Sequence, residues 1–144
     1  MRKREPARHI DLDLFAHLLK VFADTPWLHY GLWLDGEMPS FPALRRSQER
    51  YVERLVALLP PAGAAVLDIG GGTGALADHL AALGYEVEML TPSATQVAMA
   101  REKLGDRVPV HQARLEAFES PMRYDVCLFS ESFQYIRLNR VFPA

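Results

Sequence analysis

The chain has 144 residues, of which 49% are hydrophobic and 24% are charged, and its formal net charge is −2. This balance is typical of one globular domain and excludes a strongly basic, nucleic-acid-binding surface. The sequence contains no apolar run long enough to cross a bilayer, and no apolar stretch follows the basic residues Met1–Arg4 as it would in a secretory signal, so we predict a cytoplasmic protein.

Two helices are predicted in the first part of the chain. Apolar residues recur at helical spacing from Ile10 to Ala23 and again from Ala43 to Leu59, where Pro60 and Pro61 end the pattern. Between them lies an irregular segment rich in aromatic residues, Thr25–Trp33. We interpret residues 1–60 as a helical lid over the rest of the chain.

Strands alternate with helices in the second part of the chain. The predicted strands cover residues 64–69, 86–90, 108–112 and 124–129, and predicted helices at 75–83 and 95–104 follow the first two. This alternation predicts an α/β fold with a doubly wound parallel sheet. The fourth strand is continuously apolar, so we expect its Cys127, the single cysteine, to be a packed thiol. The five histidines are scattered and predict no metal site.

The most informative motif, Val66-Leu-Asp-Ile-Gly-Gly-Gly-Thr-Gly74, joins the first strand to a helix. Its glycines allow a sharp turn and a close approach to a ligand, and the helix that follows adds unpaired N–H groups. Gly70, Gly72 and Ala75 also satisfy the dinucleotide pattern G-x-G-x-x-G/A, so the spacing leaves two ligand classes open. Asp68 favours a ligand with a cationic group, because a carboxylate would repel a pyrophosphate.

The motif resembles the first motif of class I S-adenosylmethionine (SAM)-dependent methyltransferases, in which this loop holds the methionine part of SAM. Thr91-Pro-Ser-Ala-Thr-Gln96, after the second strand, resembles the Thr-x-Ser-x-x-Gln of one branch. That branch includes cyclopropane fatty acid synthases, tocopherol methyltransferases and sugar methyltransferases of natural-product pathways. Most other class I members carry an acid at the position of Thr91. The resemblance implies SAM as cofactor and a partial Rossmann-like sheet of four strands in the order 3-2-1-4, with residues 61–144 forming the SAM-binding domain.

Two segments of the first part also match that branch. His29-Tyr-Gly-Leu-Trp33 resembles its His-x-Gly-Tyr-Trp segment, and Ser47-Gln48 resembles an Ala-Gln pair that borders the cofactor. Alternatively, the two aromatic residues pack as an apolar lid, and Gln48 is an exposed helical residue. The cofactor-binding residues implied by the resemblance are Tyr30, Trp33, Gln48, Asp68, Gly70, Gly71, Gly72, Thr91, Ser93, Gln96 and Leu115.

The position near the adenine is less regular. Many members of the family place an acid there, where this chain has Arg114, and Glu116 is a candidate to replace it. Ser93 also has a second interpretation, as the N-cap of the helix that follows the second strand.

Candidate catalytic residues follow the fourth strand, in Phe129-Ser-Glu-Ser-Phe-Gln-Tyr-Ile136. In the family this strand end faces the transferred methyl group, so Glu131, Gln134 and Tyr135 are candidates for substrate contact or proton removal. Alternatively, these polar groups cap a helix or bind backbone. The cyclopropane synthases have a Glu-His pair where this chain has Gln134-Tyr135, which argues against cyclopropanation.

The resulting hypothesis is SAM-dependent methylation of a small-molecule or lipid-like acceptor. A full class I fold has seven strands, so we expect a truncated chain whose fourth strand is an open edge that favours a homodimer. One alternative is a truncated SAM-binding or self-associating module without catalytic activity. Another is a nicotinamide-dependent oxidoreductase, which needs an acid or an arginine after the second strand, where Thr91-Pro92 offers neither.

Overall fold

The computed structural model describes residues 10–141, so the basic residues Met1–Arg4 lie outside the described part of the chain. Its helices and strands, in chain order, are α1 (Ile10–Phe22), α2 (Phe41–Val56), β1 (Ala65–Ile69), α3 (Ala75–Ala82), β2 (Glu86–Thr91), α4 (Ala94–Leu104), β3 (Val110–Gln112), β4 (Val126–Leu128) and α5 (Leu138–Val141). Short 3₁₀ turns cover Gly105–Arg107, Leu115–Ala117 and Phe133–Tyr135. Within residues 10–141, no helix is long and apolar enough to cross a membrane.

The four strands form one parallel sheet in the order β3-β2-β1-β4, which confirms the predicted fold and strand order. In this order Asp68 of β1 pairs with Met89 of β2 on one side and with Leu128 of β4 on the other. The connection after β1 therefore leaves the sheet where the strand order reverses, at the edge where open α/β sheets bind ligands.

The two faces of the sheet are covered differently. One face, which we call the helix face, packs against α2, α3 and α4 through Val66, Val87 and Met89. The other, which we call the loop face, is covered by the irregular segments that precede and follow β4. Its fully buried residues are Leu67, Ile69 and Leu90, and its partly buried ones are Ala113, Leu115, Phe118, Tyr124, Phe129 and Ile136.

Hydrogen bonds to serine side chains explain where α2 and α4 begin. The Ser40 hydroxyl accepts the N–H of Ala43 at 3.2 Å and Pro42 lies in the first turn, so α2 begins at Phe41 rather than at the predicted Ala43. The Ser93 hydroxyl caps α4 in the same way, accepting the N–H of Gln96 at 3.3 Å. The helix-capping interpretation of Ser93 is thus confirmed.

The prediction for Cys127 is wrong, because the structure places this thiol on the surface. Cys127 pairs with Leu67 and shares the loop face with it, but β4 lies at the edge of the sheet, where that face is thinly covered. Partial burial nevertheless raises the pKa of the thiol above its usual value. Pairing of the β4 edge with a second copy of the chain stays a prediction.

Candidate functional site

A cavity of about 350 Å³ opens at the carboxyl ends of β1 and β2, within the range of small-molecule sites. It lies between two segments. The first, residues 25–33 of the predicted lid region, is the only part called the lid from here on. The second, residues 129–137, we call the strap. The predicted site residues that line it are Tyr30, Asp68, Gly70, Gly71, Gly72, Thr91, Ser93, Gln96, Leu115, Glu131, Gln134 and Tyr135. Trp33 and Gln48 are not among the lining residues.

The glycine turn after β1 forms the floor of the cavity. Gly70 and Gly72 have φ angles of +78° and +58°, in the left-handed region that favours glycine. A Cβ atom at Gly72 would lie 2.9 Å from Leu28 Cδ1, and one at Gly71 would lie 2.6 Å from Asp68 Oδ2. Larger residues would therefore push the turn away from both the lid and the carboxylate.

Asp68 is the most unusual group in the cavity wall. It is 1% exposed, and neither carboxylate oxygen has a hydrogen-bond partner among the described residues. Burial raises the pKa of this carboxyl to about 7. An unpaired buried carboxylate is costly, so a ligand that brings a cation or N–H donors would be stabilised here.

The end of β2 supplies a group of buried polar side chains. The Thr91 hydroxyl donates to Gln96 Oε1 at 2.8 Å, which fixes the side-chain amide of Gln96. Ser93 caps α4 and lines the cavity, so its two interpretations are compatible. This corner offers hydroxyl and amide groups, and Leu115 adds apolar surface from the segment after β3.

Gln48 supports the lid from below. Its side chain is fully buried, so the interpretation of Gln48 as an exposed residue is wrong. Its Oε1 accepts the Thr25 hydroxyl at 2.7 Å, and its Nε2 donates to the carbonyls of Trp27 at 3.2 Å and His29 at 2.6 Å. Trp33 also belongs to the lid, where its Nε1 donates to the Tyr30 carbonyl at 2.8 Å.

His29 lines the cavity but is not among the residues that the sequence predicts for the site. It is 8% exposed, neither ring nitrogen has a hydrogen-bond partner among the described residues, and its ring lies 4.3 Å from that of Tyr51. Burial lowers the pKa of His29 to about 4, so the imidazole is neutral at pH 7. Its place at the head of the His29–Trp33 segment was the only signal in the sequence.

The strap carries the three candidate catalytic residues. The Glu131 carboxylate accepts the N–H of Tyr30 at 3.0 Å, and the Gln134 side chain donates to the Glu131 carbonyl at 2.6 Å. The Ser132 hydroxyl donates to the Ile69 carbonyl. Tyr135 lines the cavity and is 63% exposed. Glu131 and Gln134 thus bind backbone, as the alternative interpretation suggests, while still facing the cavity.

Glu116, in the segment after β3, lines the cavity and is bound to Arg137 of the strap. The Glu116 carboxylate accepts the N–H of Arg137 at 2.9 Å, and this bond is the main reason why the pKa of Glu116 is lowered. Arg114 and Leu115 line the cavity from the same segment. Glu116 therefore joins the strap to the segment after β3. Among residues 10–141 no group of His, Cys, Asp or Glu side chains is arranged to hold a metal ion.

Comparison with solved structures shows the same fold in several proteins. The geranyl diphosphate C-methyltransferase of Streptomyces coelicolor A3(2), solved with Mg²⁺, geranyl-S-thiolodiphosphate and S-adenosyl-L-homocysteine, has 21% identity and a TM-score of 0.69 over 95% of this chain and 55% of its own. The [4+2]-cyclase SpnF has 23% identity and a TM-score of 0.67 over 82% and 46%. The glycopeptide N-methyltransferase MtfA, complexed with SAM, has 25% identity and a TM-score of 0.52 over 59% and 41%.

The chain spans about half the length of these structures. No curated protein sequence gives a significant match. A family model described as a methyltransferase domain matches residues 66–143, which include the glycine turn, all of β2 and β3, and the strap. The chain therefore belongs to the methyltransferase domain family, and its four-stranded parallel sheet has the strand order predicted from the resemblance to class I methyltransferases.

Proposed function

We propose that the cavity binds SAM and that the chain takes part in methyl transfer from SAM to a small-molecule or lipid-like acceptor. The main support is the unpaired, buried carboxylate of Asp68 beside the glycine turn. The similar structures solved with SAM or S-adenosylhomocysteine add support at the level of the fold. The [4+2]-cyclase SpnF has the same fold, so the fold alone does not determine the reaction, and methyl transfer is inferred from the site.

The polar groups around the cavity fit the parts of this cofactor. The ammonium group of its methionine part would satisfy the oxygens of Asp68, which have no partner in the described residues. The hydroxyls of Thr91 and Ser93 and the amide of Gln96 suit the ribose hydroxyls and the adenine edge. Leu115 offers apolar contact to a flat ring. Tyr30 closes the cavity from the lid side.

The chain's own residues would mainly position and shield the reacting groups. When bound, SAM supplies a methyl group on a sulfonium, which is already a good leaving centre. Methyl transfer then needs an oriented acceptor and excluded water more than a strong base. Glu131, Gln134 and Tyr135 line the cavity from the strap and remain our candidates for acceptor contact or proton removal. Trp33 and Gln48 would act through the lid, because neither lines the cavity.

Calorimetric titration of the 144-residue chain with S-adenosylhomocysteine, with NAD as the control ligand, tests the cofactor. We expect binding of S-adenosylhomocysteine alone, and at least a tenfold loss (about 1.4 kcal/mol) in Asp68→Asn, because the amide keeps an acceptor oxygen but loses the negative charge that attracts an ammonium. Asp106→Asn, an exposed substitution between α4 and β3, should bind as the unmodified chain does. Binding of NAD, or full affinity in Asp68→Asn, would contradict the assignment.

If the chain binds SAM, an assay for transfer of a labelled methyl group to small-molecule and lipid acceptors distinguishes an active methyltransferase from a SAM-binding module without catalytic activity. Product formation supports the enzyme. Binding without transfer to any acceptor of either class supports the alternative of a SAM-binding module without catalytic activity.

A further inference from the structure

We propose that Glu131 is a positioning residue that fastens the lid to the strap and so holds the cavity closed over its cofactor; this role rests on the proposed binding of SAM. The carboxylate Oε2 of Glu131 accepts the backbone N–H of Tyr30 at 3.0 Å, across a separation of 101 residues in the chain. Both residues line the cavity, one from each side. The bond therefore crosses the opening between the lid and the strap.

On its other side, the lid is attached to α2 by hydrogen bonds, while its Trp27 packs on the core of the helix face. Gln48 binds two lid carbonyls and the Thr25 hydroxyl, the N–H of Leu32 donates to the Ser47 carbonyl at 2.7 Å, and the Arg50 guanidinium donates to the Leu32 carbonyl at 3.1 Å. Gly31 packs so closely on Ser47 that a Cβ atom would not fit. These contacts make the lid and α2 one unit, which the Tyr30–Glu131 bond joins to the strap.

The strap is anchored at two points, one on β1 and one on the 3₁₀ turn after β3. The Ser132 hydroxyl donates to the Ile69 carbonyl, and the N–H of Arg137 donates to the Glu116 carboxylate at 2.9 Å. Immediately before the first anchor, Glu131 has a φ angle of +57°, a left-handed conformation that a residue with a side chain adopts at a cost. A glycine would be less strained at this position, so the backbone conformation alone does not favour a glutamate there.

The position of this bond makes it a control on ligand release. A ligand that lies between the lid and the strap cannot leave until one of them moves, and loss of the Tyr30–Glu131 bond releases the part of the lid around Tyr30 from the strap. Both tryptophans of the chain, Trp27 and Trp33, lie in the lid. Trp33 Nε1 donates to the Tyr30 carbonyl at 2.8 Å, so tryptophan fluorescence reports on the residue that the bond holds.

The test is the dissociation rate of S-adenosylhomocysteine, followed by tryptophan fluorescence after rapid dilution of the complex to a concentration below its dissociation constant. We expect Glu131→Ala and Glu131→Gly to release the ligand about tenfold faster than the unmodified chain, since each loses one charge-assisted hydrogen bond. Glu131→Gln keeps an oxygen that accepts the Tyr30 N–H, and should stay within about threefold of the unmodified rate. Glu102→Ala, an exposed substitution on α4, serves as the matched control.

The glycine variant separates this role from a merely structural one. Glu131→Gly relieves the left-handed strain, so it should melt at a higher temperature than Glu131→Ala while releasing the ligand just as fast. A normal release rate in Glu131→Ala, or a rate in Glu131→Gln as fast as in Glu131→Ala, would overturn the role of Glu131 while leaving SAM binding intact. Failure of the unmodified chain to bind S-adenosylhomocysteine would overturn the proposed function and this inference with it.

Discussion

The helix face and the loop face of the sheet are built from the same four strands but bury very different amounts of apolar surface. The helix face contributes to a cluster of 12 buried residues, whereas the loop face has 3 fully buried residues, Leu67, Ile69 and Leu90. The difference indicates that α2, α3 and α4 supply most of the stabilising burial. The segments on the loop face instead shape the cavity, because the strap and the residues after β3 belong to them.

Each face of the sheet also holds an acidic side chain, but the two side chains have different surroundings. Glu88 of β2 accepts the Tyr124 hydroxyl at 2.8 Å and pairs with His111 Nε2 at 2.7 Å, with its side chain 14% exposed. The Ser120 hydroxyl extends this group to the segment before β4. On the helix face Asp68 is the buried charged residue of the strands, and it lies at the ligand-binding edge. Polar groups therefore tie down loops on one face and serve the cavity on the other.

Truncation of one leucine on each face should give the largest effect. Leu80→Ala in α3 removes a side chain with no exposed surface, packed between helices and sheet, and should lower the free energy of unfolding by about 4 kcal/mol. Leu67→Ala on the loop face should cost about 2–3 kcal/mol, because loops relax into a cavity more easily than packed helices do. Urea unfolding of both variants measures this, and equal losses would remove the distinction between the faces.

A smaller effect is expected from the two unpaired buried groups, Asp68 and His29, whose contributions change with pH in opposite directions. The pKa of Asp68 is raised by folding, so its contribution is favourable below pH 4 and is lost as the pH rises towards 7. The pKa of His29 is lowered by folding, so its contribution is present above pH 6.5 and is lost as the pH falls towards 4. In the unmodified chain the two slopes largely cancel.

Single substitutions should expose each slope. Between pH 4 and pH 7 we expect the free energy of unfolding to rise by about 2–3 kcal/mol in Asp68→Asn, where the His29 slope remains, and to fall by a similar amount in His29→Phe. Unfolding in urea at several pH values without ligand is the measurement. Slopes of the same sign in both variants would show that these groups are not buried and unpaired as described.

Much of the fold follows from the pattern of residues along the chain, but the burial of individual side chains does not. The alternation of apolar strands and helices and the turn from Val66 to Gly74 predict the parallel sheet and the position of the cavity. The apolar run around Cys127 does not show that β4 lies at an edge with one face thinly covered. A run of apolar residues indicates that a strand tends to be buried, but the tertiary fold determines which segments cover it and how completely.

The site shows the same division. Residues that line the cavity through their own strand or turn, such as Asp68 and Thr91, are predictable because the motif fixes where they lie. Gln48 and Glu131 act through hydrogen bonds to lid backbone that is distant in the chain. No spacing within the sequence encodes such pairings, so a contact of this kind becomes visible only when the lid, α2 and the strap are brought together.

The central claim is that the cofactor lies at the carboxyl ends of β1 and β2, between the lid and the strap. Titration of the ¹⁵N-labelled chain with S-adenosylhomocysteine, followed by NMR, tests it most directly. We predict that the amide signals of Tyr30, Gly70–Gly72 and Thr91 shift on binding, while those of Glu88 and His111 on the loop face do not. Shifts centred on Glu88 and His111, or no shifts at all, would contradict the account.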